Sequence, residues 1–334
     1  MIDERATKAM ICQAIQYRRG LSEDLSAYRL FNGFYEGLPG LTLDRYGETL
    51  VIFDHNDPAA LDNILPSISG WVMEDVKGLE SVLLKRRQDQ DDKLCKGILL
   101  HGTTVAHLIS ENKIAYAVDL RMNQDASFYL DTRNLRDWLQ KHLLGKSVLN
   151  TFAYTGSLGV AAGVGGASAV IQTDINQTFL KVAQCSWALN HLPSEKCDII
   201  AGDFFRVMGH LRHQERLFDC VILDPPFFSS TEAGRVDLQH EMSRLVNKVR
   251  PLVAHEGWLV VINNALFYSG ADFISELDAL CQSQYLEMEG LIPVPMDVTG
   301  YPETVVSSPP VSPEPFNHST KIAVLKVFRK DGRK

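Results

Sequence analysis

The sequence predicts an α/β protein that is built on a parallel sheet and preceded by a smaller α+β unit. From Ser147 onward, short apolar runs alternate with helical patterns, as is typical of parallel strands joined by crossover helices. Four of these runs end on a glycine turn or an acid, at the edge where open parallel sheets bind ligands. Before that point, glycine and proline separate short apolar pieces, which indicates hairpins.

The N-terminal part predicts a small α+β domain over residues 1–120. Residues 4–19 have helical periodicity and Gly20 is a plausible stop. Apolar pieces within 28–53 indicate short strands. Further along, we expect a helix over 61–72, a strand over 81–84, a polar loop over 88–93 and two strands over 105–109 and 115–120.

The remaining residues, 121–334, predict the domain that contains the parallel sheet. A helix is expected over 134–144, directly before the first strand. Apolar positions after Asp174 have the clearest helical spacing in the chain. The other elements predicted from the pattern are strands over 148–149, 169–173, a short run ending near 202, 220–223, 258–262 and 321–328, and helices over 245–253 and 271–281.

The segment 293–320 is unusual because it contains seven prolines. Proline lacks an amide donor and fixes φ, so we expect neither a helix nor a central strand here. Long ordered loops in compact domains often act as lids, and others are plain surface excursions. The sequence leaves both interpretations open.

Composition and charge narrow the class of protein. Of the 334 residues, 45% are hydrophobic, which is enough for a sizeable core, and no apolar run approaches the ~18 residues of a membrane span. The charged segment Met1–Arg5 precedes no apolar signal core, so we expect a cytoplasmic location without a membrane partner. Six scattered cysteines form no CxxC pattern, so we expect no metal.

The net charge of −8 counts against a large, non-specific surface for nucleic acid. Basic clusters at 85–87, 206–216 and 329–334 are weak indications, because charge runs are usually solvated faces. The sequence does not determine the oligomeric state, and a homodimer is one of the states left open.

The polar strand ends predict a pocket for a nucleoside cofactor. Gly156 lies in the turn after the first strand, and Asp174 follows 18 residues later, near the spacing at which an acid binds ribose hydroxyls. A nicotinamide cofactor would need a G-x-G-x-x-G turn for its pyrophosphate, and the turn at 153–159 lacks the first pair of glycines. S-adenosylmethionine has no phosphate and fits this turn better.

Two further strand ends extend the predicted pocket. Asp203 could accept a hydrogen bond from an adenine amine, although a single aspartate there could also be a helix cap. Asp224, Pro225, Pro226 and Phe227 follow the fourth strand. The prolines fix the backbone, Asp224 and nearby carbonyls can accept hydrogen bonds from a planar nitrogen compound, and Phe227 can stack on its ring.

Four segments, at 36–47, 128–133, 149–157 and 223–227, together resemble class I S-adenosylmethionine-dependent methyltransferases with a Rossmann-like sheet. More narrowly, they are similar to the bacterial 23S ribosomal RNA methyltransferases of the RlmI/RlmK type. The resemblance implies S-adenosyl-L-methionine as cofactor, and ribosomal RNA or a ribosomal subunit as partner. It also implies a role in substrate recognition for the domain 1–120. It implies that Asp224 to Phe227 frame the methyl acceptor and that these residues bind the cofactor: Phe128, Asp131, Arg133, Phe152, Ala153, Tyr154, Thr155, Gly156, Asp174, Ile175, Asp203, Phe204 and Asp224.

The chain departs from that family pattern in three places. Relatives often begin with a PUA RNA-binding module, which we do not expect in this chain. The segment 123–127 is usually basic, and here it includes Asp125. Methylation at the 5-position of cytosine requires a cysteine thiolate, which that branch places just after the fifth strand. Here Asn263 and Asn264 stand at that place, as in the branch that methylates a guanine ring nitrogen.

We therefore predict methyl transfer to a base nitrogen, with Asn263 or Asn264 near the polar edge of the base. A ring nitrogen has its own lone pair and needs only alignment with the methyl group. The alternatives are transfer to a small molecule or a protein side chain, transfer to the 5-position of cytosine, and binding without catalysis. A nicotinamide oxidoreductase is disfavoured by the missing glycines.

Overall fold

A computed structural model describes residues 3–23, 25–57 and 60–333 of the chain. Met1 and Ile2, where the charged N-terminal segment begins, lie outside the described residues, as does Lys334. The chain forms two compact units. The first consists of Met1–Asp131 and Pro295–Pro309, and the second consists of Thr132–Val294 and Pro310–Lys334.

The first unit contains a five-stranded sheet with the order β1-β2-β3-β4-β5. Its neighbours pair antiparallel except β3 and β4, which are parallel. The core includes Ile11 and Ile15 of the first helix and Ile68 of the third. The elements are α1 (Glu4–Arg18), β1 (Ala27–Asn32), α2 (Gly33–Glu36), β2 (Leu41–Tyr46), β3 (Thr49–Asp54), α3 (Leu65–Asp75), β4 (Ser81–Arg86), α4 (Asp92–Lys96), β5 (Ile98–His101), β6 (Leu108–Glu111) and β7 (Ile114–Ala117), with a 3-10 turn at Arg19–Glu23.

The second unit contains a seven-stranded sheet with the order β10-β9-β8-β11-β14-β16-β15. The first five strands in this order pair parallel, and β16 pairs antiparallel with both of its neighbours, β14 and β15. Its elements are α5 (Arg133–His142), β8 (Ser147–Thr151), α6 (Ser157–Val164), β9 (Ala169–Asp174), α7 (Gln177–Leu189), β10 (Cys197–Ala201), α8 (Phe204–His213), β11 (Phe218–Leu223), β12 (Phe228–Thr231), β13 (Gly234–Asp237), α9 (Met242–Val249), β14 (Val253–Asn263), α10 (Gly270–Cys281), β15 (Leu286–Leu291) and β16 (Lys321–Val327), with 3-10 turns at Ser194–Lys196 and Arg250–Leu252.

The parallel strands end at the same edge of this sheet. Thr151 of β8 is paired with Thr173 of β9 on one side and with Leu223 of β11 on the other. Asp174, the last residue of β9, is paired with Ala201 of β10. The strand ends that the sequence singles out are therefore neighbours, as the predicted Rossmann-like α/β class requires.

The segment Pro295–Pro309 belongs to the first unit, and Asp297, Val298 and Thr304 within it are buried. It contains a short helix, α11 (Met296–Thr299), so the expectation of no helix between 293 and 320 was wrong. Pro295 precedes the first turn of this helix, where a missing amide costs no hydrogen bond. The buried guanidinium of Arg18 donates to the carbonyl of Asp297 at 2.8 Å.

The two units differ from the predicted domains, 1–120 and 121–334, in two respects. The first unit continues to Asp131, because the buried amine of Lys85 donates to the carbonyls of Asn123 and Asp125 at 2.6 and 2.7 Å. It also takes in Pro295–Pro309 from the other half of the chain. A role of the first unit in substrate recognition stays a prediction.

Several local predictions also differ from the structure. The helix α4 begins within the predicted polar loop 88–93, with Asp91 as its N-cap. The strands β5 and β15 and the hairpin formed by β12 and β13 were not predicted. The fifth parallel strand begins five residues earlier than expected, at Val253. Among the described residues, every helix is too short or too polar to cross a membrane.

Candidate active site

The turn after β8 has a strained backbone. Phe152 and Tyr154 both have φ of 52°, a left-handed conformation that residues with a side chain rarely adopt, and Gly156 has φ of 77°. A Cβ atom at Gly156 would lie 2.4 Å from the Cβ of Ala183, so close packing against α7 requires glycine here. Strain of this kind often marks functional sites, which agrees with the predicted role of this turn.

Asp174 fixes this turn from the neighbouring strand. Its carboxylate accepts hydrogen bonds from the backbone amides of Tyr154 and Asn176, each at 2.9 Å. Burial raises the pKa of Asp174, and the hydrogen bonds from the backbone amides of Asn176, Tyr154 and Ile175 act in the opposite direction. These three amides use three of the roughly four acceptor positions of the carboxylate, which leaves about one for a ribose hydroxyl. Ile175 beside it is 64% exposed, which offers an apolar surface at the same place.

Asp203 is the N-cap of α8, because its carboxylate accepts a hydrogen bond from the amide of Arg206 at 3.1 Å. The helix-cap alternative considered from the sequence is therefore correct, and it does not use both oxygens. The other oxygen accepts a hydrogen bond from the hydroxyl of Thr231 at 2.5 Å. The buried ring of Phe204 stacks on Phe152 with centroids 4.5 Å apart, so the ends of β8 and β10 are in contact.

The segment that follows β11 presents an aromatic ring to solvent. Asp224 is half-buried, Pro225 is buried, and Pro226 and Phe227 are exposed, with Phe227 at 50%. The carbonyl of Phe227 accepts a hydrogen bond from the amide of Leu238, at the end of the hairpin formed by β12 and β13. The phenyl ring is thus carried by a backbone that proline and the hairpin both restrict.

Asn263 and Asn264 have different surroundings. Asn263 is fully buried, and its side chain donates to the carbonyl of Leu238 at 3.1 Å and accepts from the amide of Ala265 at 2.9 Å. These bonds join the hairpin to the loop after β14 and occupy the side chain. Asn264 is exposed. Of the predicted pair, only Asn264 is therefore placed to contact an acceptor directly.

The segment 128–133 crosses from one unit to the other. Phe128 and Asp131 belong to the first unit, where Phe128 is buried and its carbonyl accepts a hydrogen bond from the hydroxyl of Tyr46 at 2.9 Å. Arg133 belongs to the second unit and is the first residue of α5. The roles predicted for these three residues at the cofactor stay predictions.

The basic cluster at 85–87 is not a solvated face. Lys85 is fully buried, and burial lowers its pKa to about 8. Arg87 forms an ion pair with Asp125 and donates to the carbonyl of Gln124 at 2.9 Å. These cations hold the segment before Phe128, so they are engaged within the first unit.

The cysteines of the second unit lie away from the ends of β11 and β14. Cys220 is fully buried within β11, where desolvation raises its pKa far above the usual value for a thiol. Cys197 lies in β10 with a pKa that burial raises to about 11. Cys185 and Cys281 lie in helices α7 and α10. Within the described part of the chain, no group of three His, Cys, Asp or Glu side chains could hold a metal ion.

The sequence did not predict the hairpin Phe228–Asp237, although it contributes to the site. Its strands are four residues each, and Ser229 to Thr231 have little apolar character. The available signal was Gly234 near its tip, between two runs that contain β-branched residues. The hairpin matters because it connects Phe227 to Asp203.

Comparison with known proteins identifies the class to which this fold and site belong. A family model for S-adenosylmethionine-dependent methyltransferases matches residues 60–294. The chain belongs to this family, and S-adenosylmethionine is its cofactor.

Individual relatives give a narrower picture. YwbD of Bacillus subtilis (strain 168) is 30% identical over 290 residues, which cover 83% of this chain and 71% of YwbD. Ribosomal RNA large subunit methyltransferase I of Aeromonas salmonicida (strain A449) is 33% identical over 222 residues, covering 63% of this chain and 54% of that protein. This chain thus spans about half the length of the second relative.

The fold is also similar to solved structures. The crystal structure of SMU.776 complexed with SAH superposes with a TM-score of 0.85 at 22% identity, covering 98% of this chain and 82% of that chain. This similarity confirms the predicted α/β class with a Rossmann-like methyltransferase sheet.

The residues at the strand ends fit this cofactor. The half-buried Asp174 has an acceptor position left for a ribose hydroxyl, and Ile175 exposes an apolar side chain beside it. The turn after β8 lacks the first pair of glycines that lets a dinucleotide-binding backbone approach a pyrophosphate. S-adenosylmethionine has no phosphate and does not require them.

Proposed function

We propose that this chain methylates 23S RNA of the large ribosomal subunit, at a nitrogen of a base, and that the base is guanine. The observation that carries the proposal is the placement of Asp224 and the exposed Phe227 after β11, the strand next to the glycine turn of β8. The name of the Aeromonas salmonicida relative supports ribosomal RNA as the substrate class. We further propose that the first unit contributes to recognition of that RNA.

In this proposal the chain binds the base by two kinds of contact. Phe227 has an exposed ring face on which a base taken out of its stack can lie, and such stacking contributes about 1–3 kcal/mol per base. Asp224 and the carbonyl of Pro225 accept hydrogen bonds from N–H groups of the base. A guanine offers two such groups, at N1 and at the exocyclic amine. The exposed Asn264 supplies a further polar contact.

When bound, the cofactor would supply an electrophilic methyl group and a sulfur leaving group that accepts the electron pair of the broken carbon–sulfur bond. Asp224 holds the N–H group of the acceptor, so that the nitrogen lone pair is oriented and the proton has an acceptor as the nitrogen becomes more acidic. The two prolines keep Asp224 and Phe227 in a fixed relation. No thiolate is needed for this chemistry.

Transfer to nitrogen rather than to the 5-position of cytosine is supported by the positions of the thiols. A covalent route needs a cysteine thiolate beside the base. The fully buried Cys220 has a pKa far above neutral. At the end of β14, where the covalent route would require a cysteine, the chain has Asn263 and Asn264.

The test uses purified protein, labelled S-adenosylmethionine and ribosomal RNA from a strain that lacks this gene. The RNA is supplied naked and as large subunits, and the labelled nucleoside is identified by mass spectrometry. Label on a guanine nitrogen is the expected result. Label on the 5-position of cytosine would overturn the nitrogen chemistry, and cofactor binding without transfer to either RNA form would favour a protein or small-molecule acceptor.

The variant Asp224→Ala tests the acceptor site. Because it removes the group that orients the nitrogen, we expect transfer to fall at least ~100-fold while the dissociation constant of the cofactor changes little. Glu232→Ala is the matched control, since that carboxylate is 93% exposed in the neighbouring hairpin. Near-normal transfer by Asp224→Ala would remove Asp224 from the mechanism.

A further inference from the structure

The tip of the hairpin formed by β12 and β13 is docked on the first turn of α8. Thr231 donates a hydrogen bond to Asp203, and Glu232 lies 3.4 Å from the guanidinium of Arg206. A Cβ atom at Gly234 would lie 2.5 Å from the ring of Phe205, so the backbone of the tip rests directly on that ring. The hairpin begins one residue after Phe227. The hairpin therefore joins two parts of the proposed site. Its base adjoins Phe227, which is proposed to stack on the methyl acceptor, and its tip contacts Asp203, which is proposed to bind adenine.

The hydroxyl of Thr231 has one proton, and the distances show where it goes. The carboxylate of Asp203 is 2.5 Å away, whereas the carbonyl of Gly234 is 3.3 Å away. The short contact to a charged acceptor is the stronger hydrogen bond. The same hydroxyl oxygen accepts from the amide of Ala233 at 3.3 Å, so both functions of the hydroxyl are used.

The carboxylate of Asp203 is thereby held at both oxygens. One oxygen accepts from the backbone amide of Arg206, and the other accepts from Thr231. A carboxylate with one bond to each oxygen cannot rotate about its χ2 angle without breaking one of them. About two of its four acceptor positions remain, and their directions are fixed.

We propose that Thr231 is a positioning residue for the adenine of the cofactor: its hydroxyl holds the Asp203 carboxylate so that a remaining acceptor position meets the 6-amino group. The inference rests on the proposed role of Asp203 at adenine and adds a residue from outside the segments that resemble the family. Thr231 acts through Asp203 and touches no reacting atom.

A purely structural role makes a different prediction. If the hydrogen bond between Thr231 and Asp203 only fastened the hairpin, its loss would weaken the binding of every ligand of the site to the same extent. If it orients Asp203, its loss weakens only ligands that carry the 6-amino group. The informative quantity is therefore a ratio of affinities.

The experiment measures dissociation constants by calorimetry for S-adenosylhomocysteine and for its analogue with hydrogen in place of the 6-amino group. The wild-type protein should favour the amino compound by about 10- to 100-fold, the range for one hydrogen bond to a charged group. Thr231→Val keeps the shape and loses the hydroxyl, and Asp203→Asn loses the charge. Both should bring the ratio to within about threefold of one.

Two controls separate the outcomes. Thr231→Ser retains a hydroxyl and should keep the wild-type ratio, as should Ser230→Ala on the same hairpin. A wild-type ratio in Thr231→Val together with a lost ratio in Asp203→Asn would overturn the role of Thr231. A wild-type ratio in Asp203→Asn would overturn the role of Asp203 at adenine, and with it the role of Thr231. The proposed methyl transfer to RNA is tested by its own assay and does not depend on this ratio.

Discussion

Asp174 combines two effects that oppose each other. Burial favours its neutral form, and the amides of Tyr154 and Asn176 favour the carboxylate. The net result is a raised pKa. A ribose hydroxyl donates to the charged form, so the cofactor site is sensitive to the protonation of this one group.

We expect Asp174→Ala to weaken cofactor binding by about 1.5–3 kcal/mol, because it removes the charged acceptor of a ribose hydroxyl. The affinity of the wild-type protein should also fall on acidification at a pH above that for an ordinary aspartate, since its pKa is raised, and the variant should lose this dependence. Calorimetry between pH 5 and 8 measures both. Asp198→Ala, an exposed aspartate on β10, is the control, and an unchanged dissociation constant in Asp174→Ala would remove Asp174 from the site.

Lys321 is a buried lysine of the second unit, and its burial disfavours the charged form of its amine. Its amine is fully buried at the start of β16, next to Asn263 in the pairing, and donates to the carbonyls of Ala265 at 3.0 Å and Ser319 at 2.5 Å. Desolvation lowers its pKa from 10.5 to about 8. These bonds fix the loop after β14 that carries Asn264.

This lysine gives a pH dependence of stability with a definite sign. Between about pH 8 and 10.5 the unfolded chain keeps the proton of Lys321 and the folded chain does not, so its contribution to the free energy of unfolding rises with pH. Relative to Lys321→Met, the wild-type protein should gain about 3 kcal/mol from pH 7 to 10.5. Urea unfolding at each pH gives the difference, and parallel curves for the two proteins would contradict the prediction.

At the scale of elements, the proline-rich segment illustrates what composition can and cannot tell. Its prolines correctly exclude long regular elements, yet Met296–Thr299 forms a helix. The lid and the surface excursion were the two interpretations left open. The part Pro295–Pro309 belongs to the first unit, where Asp297 and Val298 are buried and residues 305–308 are exposed. Both interpretations stay predictions.

A buried ion pair holds this segment. Arg18 and Glu36 are both almost fully buried and joined by two hydrogen bonds of 3.0 and 3.1 Å. Glu36 also accepts from the hydroxyl of Thr304, and Arg18 donates to the carbonyl of Asp297. The charges thus connect α1 and α2 to a segment more than 250 residues away, as the pair Glu36 and Thr304, 268 positions apart, shows.

Glu36→Gln should lower the free energy of unfolding by about 3–5 kcal/mol, because it leaves the Arg18 guanidinium buried without an anion. Hydrogen exchange of the Thr304 amide, which is bonded to the carbonyl of Tyr301, should become faster. Asp75→Asn is the matched control, since its partner Arg19 is 59% exposed and such a pair contributes about 0–1 kcal/mol. Equal effects of the two substitutions would contradict the role of the buried pair.

At the scale of the whole molecule, the parallel sheet and the positions of its ligand-binding turns could be predicted from local patterns. Apolar alternation locates β8, β9 and β11, and the residues just after each strand are fixed by chain direction. Asp174 and Asp224 were thereby placed at one edge without knowledge of any contact. The edge strand β15, which pairs antiparallel with β16, was missed although Leu286–Leu291 alternates apolar and charged residues, a pattern typical of a half-buried strand.

The chemical availability of side chains could not be predicted in the same way. Asn263 and Asn264 are adjacent in sequence, but only Asn263 is buried by the hairpin and the loop after β14. Likewise Lys85 reads as part of a basic surface cluster and is instead a buried donor to two carbonyls. Burial of a polar group depends on residues far along the chain, so no local pattern records it.

The sequence by itself determined the α/β class, the positions of the parallel strands along the chain, the acids at their ends and the absence of a cysteine after β14. These features depend on period and position, which are local properties of a chain. Only the tertiary structure decided that Pro295–Pro309 belongs to the first unit, that Asn263 is occupied, and that Thr231 contacts Asp203. Each of these depends on residues 25 or more positions apart, whose contact follows from packing and hydrogen-bond satisfaction in the folded chain.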